Sequence, residues 1–392
     1  MPPAQRISGV RRAPRGIEKG HLVPIRSVSA ALALALLPLS VAAPAAATAK
    51  RDLQRDVDAV VAAGASATIA EYTDRSGTRR AAAGVARLGR PAPAPVDGRF
   101  RIGSVSKTFL ATVVLQLEAE GRLSLDDTVE RWLPGTVPNG DHITLRQLLN
   151  HTSGIENYTA AMGLSPEKWL PQRYRSWAPA ELVALATAKP PLFPPGTDWS
   201  YSNTNYVLLG MVVGEATGRD YSAEIQRRII RPLGLRHTES PGERTVISGP
   251  HAHGYLPAGP AGSDEPVDVT TMNPSIADAA GDMISSTADL NTFFRALVTG
   301  RLLPPAQLAA MTTTVPGHDY GLGLEATTLP CGITVYGHGG GIFGYVTGTF
   351  TTRDGSRRLA LSVNPYVGDP DDALQALVNH AFCGRDAVPD RE

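Results

Sequence analysis

The chain has 392 residues, 42% hydrophobic and 19% charged, with 37 basic and 37 acidic side chains. That balance belongs to a globular protein with an ample core and room for two domains or one elaborated one. Zero formal net charge without a basic stripe excludes a nucleic-acid binder.

Residues 1–49 differ from the rest. They hold six Arg or Lys against one acid, then the apolar run "SVSAALALALLPLSVAAPAAATA" ending in small residues. A basic start, an apolar stretch and an A-x-A site at Ala47-Thr48-Ala49, or at Ala43-Pro44-Ala45, predict an export signal. Pro38 and Pro44 interrupt the run, so a retained membrane anchor is not expected. Removal of the segment leaves 31 basic and 36 acidic residues, a net charge of −5. The expected product is a secreted, extracellular protein, monomeric and free of the membrane. The only cysteines, Cys331 and Cys383, lie in the exported part and are expected to pair as one disulfide.

An amphipathic helix is expected from Arg51 to about Ala63, then strands at "ATIAEYT", through Ala82–Ala86, and at Phe100–Gly103, together a meander. "RPAPAP" cannot pair in a central ladder and reads as surface loop. The middle is helical: "TLRQLLNHTSG" has Thr144 as N-cap, "NYVLLGMVVGEATG" closes at Gly218, and "SSTADLNTFFRALVTG" closes at Gly300. Residues 257–268 read as loop. Beyond residue 317 strands return at "YGLGLEATT", "ITVYGH", "GYVTGTFTT" and "RRLALSVN", followed by a helix from Asp371 to about Phe382. Strands at both ends with helices between predict an α/β fold of the α+β type. Its antiparallel sheet is built from both chain ends, flanked by helices, and carries an inserted, mostly helical region. The expected limits are one domain over 50–384, with sheet at about 50–103 and 285–384 and helices at about 104–284. A C-terminal tail, 385–392, follows.

Three short stretches carry chemistry. Ser104-Val105-Ser106-Lys107 opens an apolar helix, and Lys107 is one of only 5 lysines against 32 arginines. A buried cation that must release its proton cannot be arginine, whereas a desolvated ammonium can be neutral. Spacing of three sets Lys107 over Ser104, whose hydroxyl needs a base to become a nucleophile. A second match, Ser165 to Lys168, reads as a helix start with Pro166 in the first turn. Tyr201-Ser202-Asn203 offers a phenol for proton transfer and an amide to hold a substrate. His338-Gly339-Gly340-Gly341 ends a strand with residues that let a substrate approach the backbone. An α/β-hydrolase would need a G-x-S-x-G elbow, which this chain lacks.

In this order, 97 and then 137 residues apart, the three stretches resemble the serine penicillin-recognising hydrolases. Within them the likeness is to the secreted DD-carboxypeptidase and class C β-lactamase branch. "RIGSVSKTF", "LLNHTSGI", "FPPGTDWSYSNTNYVLLG", "AGDMISSTADL" and "YGLGL…YGHGG" carry it, over roughly Arg51 to Gly384. The resemblance implies Ser104 as the acylated nucleophile, Lys107 as its base and Tyr201 as the proton shuttle. It implies Asn203, His338, Gly340 and Gly341 as substrate-binding residues, the N–H groups of Ser104 and Gly341 as oxyanion hole, and no metal or cofactor. D-alanyl-D-alanine carboxypeptidase action on peptidoglycan stem peptides is the expected activity. Esterase, D-amino-acid amidase or β-lactamase action, or a receptor acylated by β-lactams without turnover, are the alternatives. Carboxypeptidase relatives typically carry hydroxyls after this element and a basic residue on the neighbouring strand that helps bind a terminal carboxylate. Here glycines follow His338 and the "YGLGL" strand continues with Glu325, which would repel a peptide C-terminus if it faced the site.

Overall fold

The computed structural model describes residues 43–256 and 265–385. The apolar run, the basic segment before it and the tail beyond Arg385 lie outside the described residues. The first helix, α1, spans Ala43–Ala62 and so begins eight residues before the expected Arg51, within an alanine-rich stretch of high helix propensity. Among the described residues no helix is long and apolar enough to cross a membrane.

Strands β1 (Ala65–Asp74) and β2 (Gly77–Gly84) form a hairpin through the Arg75-Ser76 turn. The expected third strand of a meander is instead β3, Phe100–Arg101, which pairs outside the main sheet with Ile284–Ser285. Short strands β4 (Tyr255–Leu256) and β5 (Val267–Asp268) pair across residues expected to be loop, and Ile284–Ser285 is β6. From the C-terminal part come β7 (Glu325–Thr328), β8 (Thr334–Ile342), β9 (Tyr345–Thr352) and β10 (Arg358–Pro365). The main sheet runs β2-β1-β10-β9-β8-β7 and is antiparallel throughout. Both chain ends thus meet at the β1–β10 pair, as expected. The glycine run, read as the end of a strand, lies inside β8, which continues in register to Ile342 before the Phe343-Gly344 turn.

One face of the sheet packs on α1 and on α5 (Asp371–Cys383, numbered after the helices below) through Leu53, Val57, Val60, Leu361, Val363, Leu377 and Phe382. On the other side α2 (Ser106–Ala119) and α3 (Asn203–Thr217) share the hydrophobic core, and α4 (Thr287–Val298) meets the sheet face. Helix α2 is buried on nearly every side, from Ser106 to Leu115, which is why its sequence shows no polar face. Phe109 of α2 stacks on Phe293 of α4, ring centroids 3.7 Å apart. Each such buried ring contributes on the order of 1.5–3 kcal/mol. Cys331, in the turn before β8, is joined to Cys383 at the end of α5, Cα atoms 5.7 Å apart. The bond pins the β7–β8 hairpin to the last helix.

Candidate active site

Ser104 lies in a single 3-10 turn, Gly103–Val105, that leads directly into α2. That turn sits against β8 so closely that two glycines are required. Gly103 adopts φ +49°, and a Cβ there would come 2.7 Å from Gly341 O. A Cβ on Gly340 would lie 2.0 Å from Ile102 O. Gly340, expected to bind substrate, therefore turns its open face to Ile102 and Val105 and serves to let the serine turn approach the strand. Nothing lies within 4 Å of the corresponding position on Gly341, which faces the cleft beside Ser104.

Lys107 is fully buried in the first turn of α2. Its Nζ lies 2.9 Å from Ser104 Oγ, 2.7 Å from Asn203 Oδ1 and 2.7 Å from Ala280 O. No carboxylate pairs with it, and burial holds the ammonium well below its ordinary range. A neutral amine has two hydrogens and one lone pair. The two carbonyl oxygens can only accept, so they take the hydrogens, and the lone pair is left for the Ser104 hydroxyl.

Tyr201 completes this group. Its ring lies 4.9 Å from Lys107 Nζ, and its hydroxyl interacts with Ser104. Burial pushes the phenol up, with Glu325 adding to the rise and Ser104 opposing it. The resting group is thus a phenol able to donate. Asn203 spends its oxygen on Lys107 and one amide hydrogen on Thr159 Oγ1 at 3.4 Å, which leaves one hydrogen for a ligand.

His151 is the residue that sequence reasoning passed over, although it stands within "LLNHTSGI". Its backbone is left-handed at φ 63°, a conformation in which histidine is enriched. Its carbonyl accepts from Ser200 N–H at 3.0 Å and its Nδ1 from Ser202 N–H at 3.2 Å, so both ends of the residue hold the Tyr201 loop. The ring lies 4.2 Å from that of Tyr201. Burial keeps the imidazole well below its usual range, hence neutral.

His338 is buried and does not line the cleft beside Ser104. Its Nδ1 lies 2.5 Å from Gly339 O and its Nε2 2.9 Å from the Tyr320 hydroxyl. A carbonyl only accepts, so Nδ1 carries the proton and Nε2 accepts from Tyr320. Burial lowers the ring's pKa against the opposing pull of Glu325, and the ring is neutral. Glu325 opens β7, opposite Gly337 of β8. Its Oε2 accepts the Gly339 N–H at 3.3 Å, and its Oε1 is 3.7 Å from His338 Nδ1.

On the other side of Ser104 is a cavity of about 330 Å³ lined by Tyr158, Leu164, Asn203, Ile276, Gly341 and Phe343. Trp169 stacks on Phe343 from behind, 3.5 Å between centroids. The second Ser-x-x-Lys takes no part, since Ser165 precedes the short helix Pro166–Trp169. Cys331 and Cys383 serve the hairpin rather than the site.

A hydroxyl held against a neutral amine, with a phenol beside both and glycine backbone opposite, is a site for acyl transfer through serine. The Beta-lactamase family model matches residues 53–377, and the chain belongs to that family, as a serine hydrolase of the β-lactamase fold. Among solved structures it is similar to a D-stereospecific amidohydrolase from Streptomyces sp., 44% identical with a TM-score of 0.78 over 86% of this chain and 99% of that one. The D-amino acid amidase of Ochrobactrum anthropi SV3 is 28% identical, with a TM-score of 0.75 over 86% of this chain and 99% of its own. Penicillin-binding protein 4* of Bacillus subtilis is 30% identical over 324 residues, 79% of this chain and 70% of its own. Three other curated relatives are spanned only to 52–54% of their length.

Proposed function

We propose that this serine hydrolase cleaves amides and esters of single apolar amino acids of D configuration, through an acyl-Ser104 intermediate. The observation that carries the reading is the acyl-side cavity. At about 330 Å³, closed by Tyr158, Leu164, Ile276 and Phe343, it suits one aromatic or branched side chain rather than an extended stem peptide. The likeness to a D-stereospecific amidohydrolase and a D-amino acid amidase supports both the amide and the stereochemistry.

In this reading Lys107 Nζ takes the Ser104 proton as Oγ adds to the substrate carbonyl. The N–H groups of Ser104 and Gly341 hold the developing oxyanion, aided by the N-terminus of α2. Tyr201 gives its proton to the leaving nitrogen, the C–N bond breaks and the amine departs. The proton on Lys107 then returns to Tyr201, leaving both neutral. Water next attacks the ester, its proton passing to Lys107. The C–Oγ bond breaks, the acid leaves, and Ser104 recovers its proton from Lys107.

The reading includes export, supported by the composition of residues 1–49 and by the Cys331–Cys383 bond. N-terminal sequencing of protein from culture medium tests it. The activity is tested with D-phenylalanine amide, its L enantiomer and a D-Ala-D-Ala peptide. Release of ammonia from the D amide alone, lost in Ser104→Ala, is the expected result. Release of D-alanine in preference would return the reading to a carboxypeptidase.

A further inference from the structure

The acyl cavity uses Gly341 and Ile342, at the far end of the β8 stretch that passes Ser104, and Phe343 in the turn beyond it. A substrate with its acyl group there must send its leaving group the other way, toward Tyr201, the proton donor, and toward Gly339 and His338. Glu325 is a charged side chain at that end. It contacts the Gly339 amide and His338 Nδ1, and its field acts on Tyr201 and Tyr320. The Glu325 side chain is 39% exposed, so it is open to solvent rather than buried in the core. Among the described residues neither arginine nor lysine forms an ion pair with it. His338, which could have neutralised it, donates Nδ1–H to Gly339 O and accepts at Nε2 from Tyr320.

We propose that Glu325, with the Gly339 backbone, forms a leaving-group subsite for a cationic amine and excludes leaving groups that bear a carboxylate. The inference rests on the amidase reading and names its substrate class: D-aminoacyl amides whose departing amine carries a second, protonated nitrogen or a guanidinium. An uncompensated carboxylate beside a partly desolvated cleft attracts such a charge and repels a carboxylate with comparable strength. A peptide ending in a free α-carboxylate would place its negative charge against Glu325.

The test uses three D-phenylalanyl amides of one length, made from 1,4-diaminobutane, butylamine and 4-aminobutanoate. For the wild-type chain kcat/KM should fall in that order, with about ten- to hundred-fold or more between the cationic and anionic amides. Glu325→Gln, which keeps an acceptor for the Gly339 N–H, should compress that ratio toward one, and Glu325→Lys should invert it. An unchanged ratio in both variants, with melting temperatures showing them folded, overturns the subsite. If none of the three amides is cleaved, the amidase reading falls. The same compounds are then measured as inhibitors of 4-nitrophenyl ester hydrolysis. Stronger inhibition by the cationic amide, lost in Glu325→Gln, supports the subsite, and equal inhibition constants overturn it.

Discussion

Lys107 Nζ stands 2.9 Å from Ser104 Oγ in a fully buried position whose other neighbours are two carbonyl oxygens. Burial, unopposed by any carboxylate, favours the neutral amine. The base form exists above the lysine's pKa, so acylation should rise with pH through a midpoint well below 10.5. A kcat/KM profile from about pH 5 to 10 checks this, and a midpoint at the ordinary lysine value would contradict it. Lys107→Arg should lose about 10²- to 10⁴-fold in acylation, because guanidinium cannot accept the proton. Intact-mass measurement of acyl adducts reads that loss directly.

Gly340 and Gly341 are neighbours with opposite demands. A methyl on Gly340 collides with Ile102 O, a backbone atom that no rotamer moves aside. Gly340→Ala should displace the Ser104 turn, abolish acylation and destabilise the fold by about 1–3 kcal/mol. A methyl on Gly341 meets open space. Gly341→Ala should keep its melting transition within about 0.5 kcal/mol of wild type while crowding the acyl side of the cleft. Thermal denaturation of the pair decides it, and equal destabilisation would refute the assignment.

That pair also marks where sequence reading stops. The order Ser104, Lys107, Tyr201, Asn203 and the glycine run was enough for the fold and the family, because each stretch needs its residue types at fixed local spacing. Four adjacent symbols in His338–Gly341 do not say which glycine faces the serine turn and which the cleft. Phe100–Arg101 was legible as a strand but its partner was not, because the two residues Ile284–Ser285 show no period and lie far along the chain. His151 acts on a loop fifty residues away, through a backbone conformation invisible before folding. For Glu325, alternation along a strand gives parity only. Register with Gly337 was needed to set the carboxylate beside Gly339.

Cys331–Cys383 closes a loop with a sequence separation of 52. On the chain-entropy model such a loop stabilises the folded state by about 4 kcal/mol. The bonded turn lies before Thr334, and Gly341 is about 23 Å further along the extended strand. Replacing both cysteines by serine should therefore lower the melting temperature while leaving kcat at 25 °C unchanged. Differential scanning calorimetry with a parallel ester assay separates the two. A fall in kcat without a fall in stability would mean that the hairpin itself positions the site.

Asp282 lies under the Asp278–Ala280 turn, whose Ala280 carbonyl holds Lys107, and its backbone N–H donates to Asp278 O at 3.0 Å. Oδ2 accepts from the Tyr221 hydroxyl at 3.0 Å and from Ser240, while Oδ1 is buried without a hydrogen-bond partner. Burial raises this carboxyl from 3.8 to about 7, and neighbouring Asp278 from 3.8 to about 6. Between the unfolded and folded values the native state binds more protons than the unfolded chain. Stability is therefore greatest at the acid end of that window and is lost as pH rises from about 4 to about 7. The loss due to Asp282 is at most about 4 kcal/mol. Asparagine keeps an acceptor for Tyr221 and Ser240 and never ionises. Asp282→Asn should raise the melting temperature at pH 8 and flatten its decline between pH 4 and 8. A wild-type curve with no decline, or a variant that declines as steeply, would show that Asp282 is ionised and satisfied in the folded chain, with no part in the pH dependence of the turn that holds Lys107.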